Sequence, residues 1–307
     1  MLSRKDLACL TRRSHAQILV RNHEVYVLDA VDTQGELVLA HSRQLGRAVQ
    51  VERDIVSLFL QGREIKPYNV QHSGKLAVIP YKVKGGKPRL LSEVEMRRRY
   101  PRAYEYLEEN REHLQARERG RMRGSDWYGF IYPKNIEIMR EPKMLVPDIA
   151  DRASFALDAD GVYAFTSGYG ITLREDTEEG LEYVLGLLNS TTLDFYLKRI
   201  STTMRGGFFR YFTQYIHQLP IRKIDFSDRA DKARHDKMVS MVQRMLDLHK
   251  RVQAAKTQHE RGVFQRQIAA TDEEIDRFVY ELYGLTEEEI RTVEETTQKR
   301  ATEGKKR

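Results

Sequence analysis

The apolar pattern of this 307-residue chain changes period at about Asp228, and that change constrains the fold more than any other feature. Upstream, apolar residues come in short alternating or clustered runs broken by glycine, proline and aspartate turns, the pattern of strands. Downstream, Met238, Met241, Met245, Leu248 and Val252 fall at three- and four-residue spacing. Phe264, Ile268, Thr271, Ile275, Phe278 and Leu282 continue such a pattern. This is the helical period, and Thr257 with Glu260 can cap the second helix. The expectation is an α+β fold. A mostly antiparallel, curved sheet with helices occupies residues 1–227, a helical hairpin 228–290, and a disordered tail 291–307. A seam does not show its partner, so a projecting arm and a hairpin packed on the body both remain open.

Within the first part, "QILVRNHEVYVLDAV" alternates around a turn at Arg21-Asn22-His23, and "GELVLAHS" reads as a strand. "ERDIVSLFLQG" reads as a helix stopped by Gly62. "KLAVIPYKVKGGKPRLL" reads as a strand followed by a flexible basic loop. Ser92 and Glu95 form a capping box, Pro101 interrupts, and a further helix turns Tyr104, Leu107 and Leu114 inward. Glu118–Trp127 reads as a mobile basic loop, and the lone Trp127 as a core or interface anchor. "KMLVPDI", "SFALDADGVYAFTS" and "GITL" read as strands. Asp158-Ala159-Asp160-Gly161 is a hairpin-turn signal, without the later ligand spacing of a calcium loop. A helix covers 179–197, and Gln214–Ile221 reads as a return strand ending at Pro220.

The net charge is +7 at pH 7, which favours an acidic partner. Residues 82–124 hold 13 Lys/Arg against 7 Asp/Glu, whereas residues 228–307 hold 17 against 16. The basic excess therefore lies upstream of the C-terminal helices. One cysteine, Cys9, excludes an internal disulfide and a cysteine-based zinc site. Without a long apolar run or a signal-peptide core, the expectation is a cytoplasmic protein with no membrane partner. The nine histidines lack metalloenzyme spacing. Pro147-Asp148 evokes the start of a nuclease metal motif, but no acid-x-Lys follows in the next strand.

Ser201–Phe212 is the richest stretch chemically. It holds Arg205, Arg210, Phe208, Phe209, Tyr211, Phe212 and the pair Gly206-Gly207. Arginine forks grip phosphate or guanine edges, aromatics stack on bases, and glycine lets backbone approach closely. On a strand the aromatics cannot all face DNA. Tyr211 is the expected stacking or hydrogen-bonding residue, and the phenylalanines are assigned to the core. Arg63 and Lys66, beside Pro67 and Tyr68, could hold phosphate; the alternative is a structural turn with Arg63 paired to a carboxylate. Tyr169 could be presented to a groove by Gly168 and Gly170, or could sit in a tight turn. Arg121, Arg123, Lys84 and Lys87 are generic phosphate candidates, against the alternative of a solvated charged face. Arg152 is expected to pair with a nearby aspartate.

The run "ISTTMRGGFFRYFTQYIHQLPI" resembles the end of the C-terminal specificity, or target-recognition, domain of TaqI-like adenine-specific DNA methyltransferases of type II and IIG restriction–modification enzymes. "FLQGREIKPY", "DWYGFIYPKN", "EPKMLVPDIADRASFALDADGVYAFTSGYGITL" and "YVLGLLNSTTLDFYLKRIS" resemble earlier blocks of that domain, in order, over roughly residues 20–285. The chain departs from the family in one respect. The catalytic half would bring a glycine-rich cofactor loop and an Asn/Asp-Pro-Pro-Tyr/Phe motif, whereas this sequence has no Pro-Pro pair and no G-x-G-x-x-G.

The resemblance implies a recognition half that is no enzyme by itself. It would read double-stranded DNA and present an adenine to a methyltransferase catalytic subunit or domain that binds S-adenosylmethionine. No cofactor and no metal are expected in this chain. Two alternatives remain: a truncated methyltransferase relic, and a protein-interaction module acting through the C-terminal helices.

Overall fold

The computed structural model describes residues 23–133 and 136–305. A single turn of helix, α1 (His23–Tyr26), leads into β1 (Val27–Gln34), β2 (Leu37–Ser42) and β3 (Arg47–Glu52). β4 (Val56–Gln61), the short β5 (Ile65–Lys66) and β6 (Asn69–Val70), and β7 (Lys75–Val78) follow. The six-stranded sheet has the order β13-β4-β7-β1-β2-β3, where β13 is Tyr163–Thr166. Its pairs are antiparallel except β13 with β4. The helix expected before Gly62 is β4 instead. Its apolar run lies between two strands, and with Phe59 and Leu60 both fully buried, sheet pairing overrides the local signal. The turn expected at 21–23 lies mostly outside the described residues.

β8 (Tyr81–Lys84) and β9 (Lys87–Leu90) pair as a hairpin where a flexible loop was expected. The Ser92–Glu95 capping box opens α2 (Glu93–Arg99), and Pro101 occupies the first turn of α3 (Pro101–Glu109). α4 (Arg111–Gln115) and α5 (Arg117–Gly120) complete this layer. Tyr104, Leu107, Leu114 and Trp127 are all buried in the core that joins these helices to the sheet. The Glu118–Trp127 segment is tied down as well. Arg117 is buried and donates to the carbonyls of Leu114, Trp127 and Gly129.

A second sheet has β10 (Lys143–Pro147) at its centre, between β12 (Ala156–Asp158) and β14 (Gly168–Ile171). Every residue of β10 is buried. β11 (Ile149–Ala150) leaves it to pair with β15 (Phe209–Arg210). The Asp158–Gly161 turn joins β12 and β13, which belong to different sheets, so it is a crossover and not a hairpin. The Asp158 carboxylate receives the Val162 and Tyr163 amides and pairs with buried Lys143, which fixes that crossover. The expected 179–197 helix is two: α6 (Leu181–Asn189) and α7 (Thr191–Ile200), broken at Ser190, whose side chain caps α7. The return strand expected after Gln214 is the short helix α8 (Thr213–Ile216) followed by irregular chain.

Helices α9 (Arg229–Ala254) and α10 (Gln258–Tyr283) form the expected hairpin, opened by the Thr257–Glu260 capping box. It packs on the body. Gly186 of α6 meets Met238 and Val242 so closely that a Cβ there would stand 2.4 Å from the Met238 sulfur. One hydrophobic core joins Met144, Tyr183, Leu187 and Tyr211 to Met238, Met245, Ile275 and Phe278, so it crosses position 228. The tail expected to be disordered from 291 is instead helical, as α11 (Glu287–Lys305). Thr286 and Glu289 bond at its start, and Val293 is buried.

Candidate nucleic-acid interface

α7 delivers the chain directly into the Arg-Gly-Gly segment, which folds as a hairpin. The Ser201 hydroxyl donates to the Arg210 carbonyl (2.6 Å), the Arg210 amide to Thr202 (3.2 Å), and the Met204 amide to Phe208 (2.7 Å). Gly206 and Gly207 take φ of +81° and +80° at its tip, where a side chain would be strained. Arg205 is exposed there and makes no ion pair or hydrogen bond among the described residues.

The root of this hairpin is buried. Asp194 accepts from the Tyr211 hydroxyl (2.5 Å) and the Ala153 amide (2.9 Å), and pairs with Lys198 (2.7 Å). Tyr211 is fully buried, and burial together with Asp194 holds its phenol un-ionised. Strand alternation that puts Tyr211 and Phe209 inside turns Phe208 and Arg210 to the other face. Tyr211 therefore offers no surface for stacking, and Phe208, assigned to the core from sequence, is 42% exposed. The sequence held the alternation but not its phase.

Two further turns meet this hairpin through backbone. The Tyr211 amide donates to the Asp148 carbonyl (2.9 Å), and the Asp148 amide to the Ser167 carbonyl (3.0 Å). A Cβ on Gly62 would stand 2.1 Å from that same Ser167 oxygen. The Arg63–Lys66 turn, the Ser167–Tyr169 turn and the Arg205 hairpin are thus three neighbours from distant parts of the chain. Arg63 and Lys66 are exposed and have no ion pair among the described residues, so the pairing considered for Arg63 is not made there.

The tyrosines of these turns are inside. Tyr68 is 3% exposed with φ of +58°, its amide bound to the Phe155 carbonyl. Tyr169 packs edge-on against Phe212, and burial, with Asp148 beside it, pushes its phenol up to about 12. Its position on β14, paired with Val146 of the all-buried β10, explains why it is not presented to a groove. Arg210 is half-buried, with its guanidinium 4.8 Å from the Phe212 ring. Arg152 pairs with Asp272 of α10 and not with its sequence neighbours.

Lys84 and Lys87 face each other at the tip of the β8–β9 hairpin, and Arg121 and Arg123 are exposed on the turn after α5. These four belong to the other packing body, around Tyr81, Trp127 and Tyr128. Among the described residues, no group of three or more His, Cys, Asp or Glu side chains is placed to hold a metal. No helix among them is long and apolar enough to cross a membrane.

The family model of the TaqI-like C-terminal specificity domain matches residues 57–221. This interval contains all three turns and both hairpins. The chain is 24% identical over 239 residues to the type II restriction enzyme and methyltransferase RM.Eco57I of Escherichia coli, covering 74% of this chain and 24% of that protein. It is 26% identical over 174 residues to the type II methyltransferase M.PaeR7I of Pseudomonas aeruginosa, covering 57% and 29%. It is 22% identical over 247 residues to the type II methyltransferase M.BstVI of Geobacillus stearothermophilus, covering 80% and 37%. The chain thus spans 24% to 37% of the length of these relatives.

Proposed function

Because this chain belongs to the family of TaqI-like C-terminal specificity domains, we propose that it is the DNA-reading module of a site-specific adenine-N6 methyltransferase in a restriction–modification system. It binds duplex DNA and positions it for a methylating module, which flips the target adenine out of the stack and supplies the S-adenosylmethionine site. The observation that carries this reading is the junction of three turns at Gly62, Ser167 and Asp148, with the cations Arg63, Lys66 and Arg205, which have no ion pair among the described residues, on the segments it joins. Arg63 and Lys66 suit phosphate contacts, which fix register; Arg205 suits a base edge. Arg210 supports it from the flank, and Lys84, Lys87, Arg121 and Arg123 add charge from the neighbouring body.

The chain's own glycine pairs do not fit a nucleoside cofactor. Gly85-Gly86 and Gly206-Gly207 close hairpins and do not join a strand to a helix N-terminus. The methylation chemistry is accordingly assigned to the catalytic module. The test is binding of the purified chain to short duplex pools at two salt concentrations, with Arg205→Ala alongside. Selective, salt-weakened binding that the variant loses is the expected result. Failure to bind any duplex, alone or with the catalytic module, overturns the reading.

A further inference from the structure

The Arg205 hairpin carries an aromatic side chain that the fold does not use. Phe209 is 4% exposed and belongs to the core, whereas Phe208 leaves 42% of its surface in water. A single exposed apolar residue is ordinary, but Phe208 stands with exposed Ile149 beside Arg210, and exposed apolar surface rimmed by polar groups marks a contact made outside the chain. Its ring lies over Gly206, where a Cβ would be 3.5 Å from two ring carbons, so the glycine gives it a seat. On the same face of the β11–β15 pair stand Arg210 and, directly across from it, Ile149, itself 43% exposed.

The surroundings define the partner. Arg205 precedes the glycines and Arg210 follows two residues after Phe208. The acids on the adjoining segments include Asp148, which lies beside Tyr169, exposed Asp151 just after β11, and buried Asp194 at the root, paired with Lys198. An apolar centre between two guanidinium groups complements stacked bases between phosphates. A narrow antiparallel ribbon has the width that a major groove admits.

We infer that Phe208 is the side chain by which this hairpin presses on the base stack of duplex DNA, with Arg205 and Arg210 binding to either side. The inference rests on the recognition role proposed above and names the residue that contacts the bases. Phe208 contributes apolar contact and no charge, so its removal lowers affinity without changing the number of counterions released.

The test uses the full chain and a pool of short duplexes with a randomised centre. The site selected by the wild type is then remade with 2-aminopurine at successive positions. Phe208→Ala is expected to weaken binding about ten- to a hundredfold, to keep the wild-type salt slope, and to abolish the fluorescence rise that reports unstacking. Phe208→Trp, which restores a ring, is expected to retain both affinity and fluorescence change. A Phe208→Ala protein that binds and unstacks like wild type overturns the inference and leaves the recognition role standing. So does one that loses only its grip on a catalytic module, because the face then docks protein. Wild-type protein that binds no duplex, alone or with the catalytic module, overturns both.

Discussion

Lys84-Gly85-Gly86-Lys87 closes one hairpin of this protein and Arg205-Gly206-Gly207-Phe208 closes another. In both, the glycine pair takes left-handed backbone, at +57° and +70° in the first and +81° and +80° in the second. The roots differ. Lys82 and Arg89 of the first both pair with Glu95, which also caps α2, so its root is an ion-paired surface. The root of the second is the buried Asp194–Lys198–Tyr211 cluster inside the main core. The tips differ too. Lys84 and Lys87 are like charges placed directly opposite, an arrangement relieved by an anion. They are point charges with no directional fork, suited to phosphate. Arg205 and Phe208 offer planar and apolar groups, suited to bases. Equal turn chemistry therefore does not make equal sites; the buried root and the residue types separate the proposed reading tip from the proposed holding tip.

The largest effect that sharpens the comparison is at the root. Asp194→Ala strands Lys198 in the core, and denaturant unfolding should show a loss of about 3–5 kcal/mol. Glu95→Ala, on the solvated root, should lose clearly less. Equal losses would break the comparison.

The next largest concerns Asp276, whose carboxylate holds the Thr191 amide and hydroxyl at the start of the helix that feeds the second hairpin. Burial pushes it up to about 6, against an ordinary 3.8, with the Thr191 bonds opposing. A folded value above the unfolded one gives stability that is full below pH about 4 and lost as pH rises through about 6. Relative to Asp276→Asn, the wild type should therefore lose about 2–3 kcal/mol over that window. His249 acts with the opposite sign. Burial lowers its value from 6.5, so its share is lost as pH falls, and only the Asn variant isolates the aspartate. Parallel pH profiles for the two proteins would refute the Asp276 assignment.

At the tips, Arg205→Lys keeps the charge and loses the fork. Discrimination among duplexes should fall by about 1–3 kcal/mol with the salt slope unchanged. Smallest is the pair Lys84→Ala/Lys87→Ala. Binding should weaken evenly across sequences, and the salt slope should fall by about 2. A change in the preferred sequence would mean that the lysine tip also reads.

Much of the frame is legible in the sequence because it rests on local rules. The capping boxes at Ser92 and Thr257 and the seams through Met238–Leu248 and Ile275–Leu282 state their period directly. What failed depended on partners distant in sequence. β4 looks helical until β7 and β13 flank it, and the Asp158 turn looks like a hairpin until its two strands enter different sheets. In the candidate site, Arg205, Arg63 and Lys66 are exposed. Tyr211, Tyr68 and Tyr169 are buried, and that burial is set by Asp194, Phe155 and β10, partners distant in sequence. The exposed phase of Phe208 is invisible until β15 finds β11.

The glycines of these turns divide into two kinds. A side chain added at Gly85 or Gly86 meets nothing within 4 Å, and at Gly206 only the ring of Phe208. At Gly62 and Gly168 it would strike a backbone carbonyl, at 2.1 and 2.6 Å. Replacement or insertion at the tips costs backbone strain alone, while at the seams it would wedge the sheets apart. Natural variation and directed evolution can thus rewrite the tips while the seams stay fixed, giving one scaffold a range of targets.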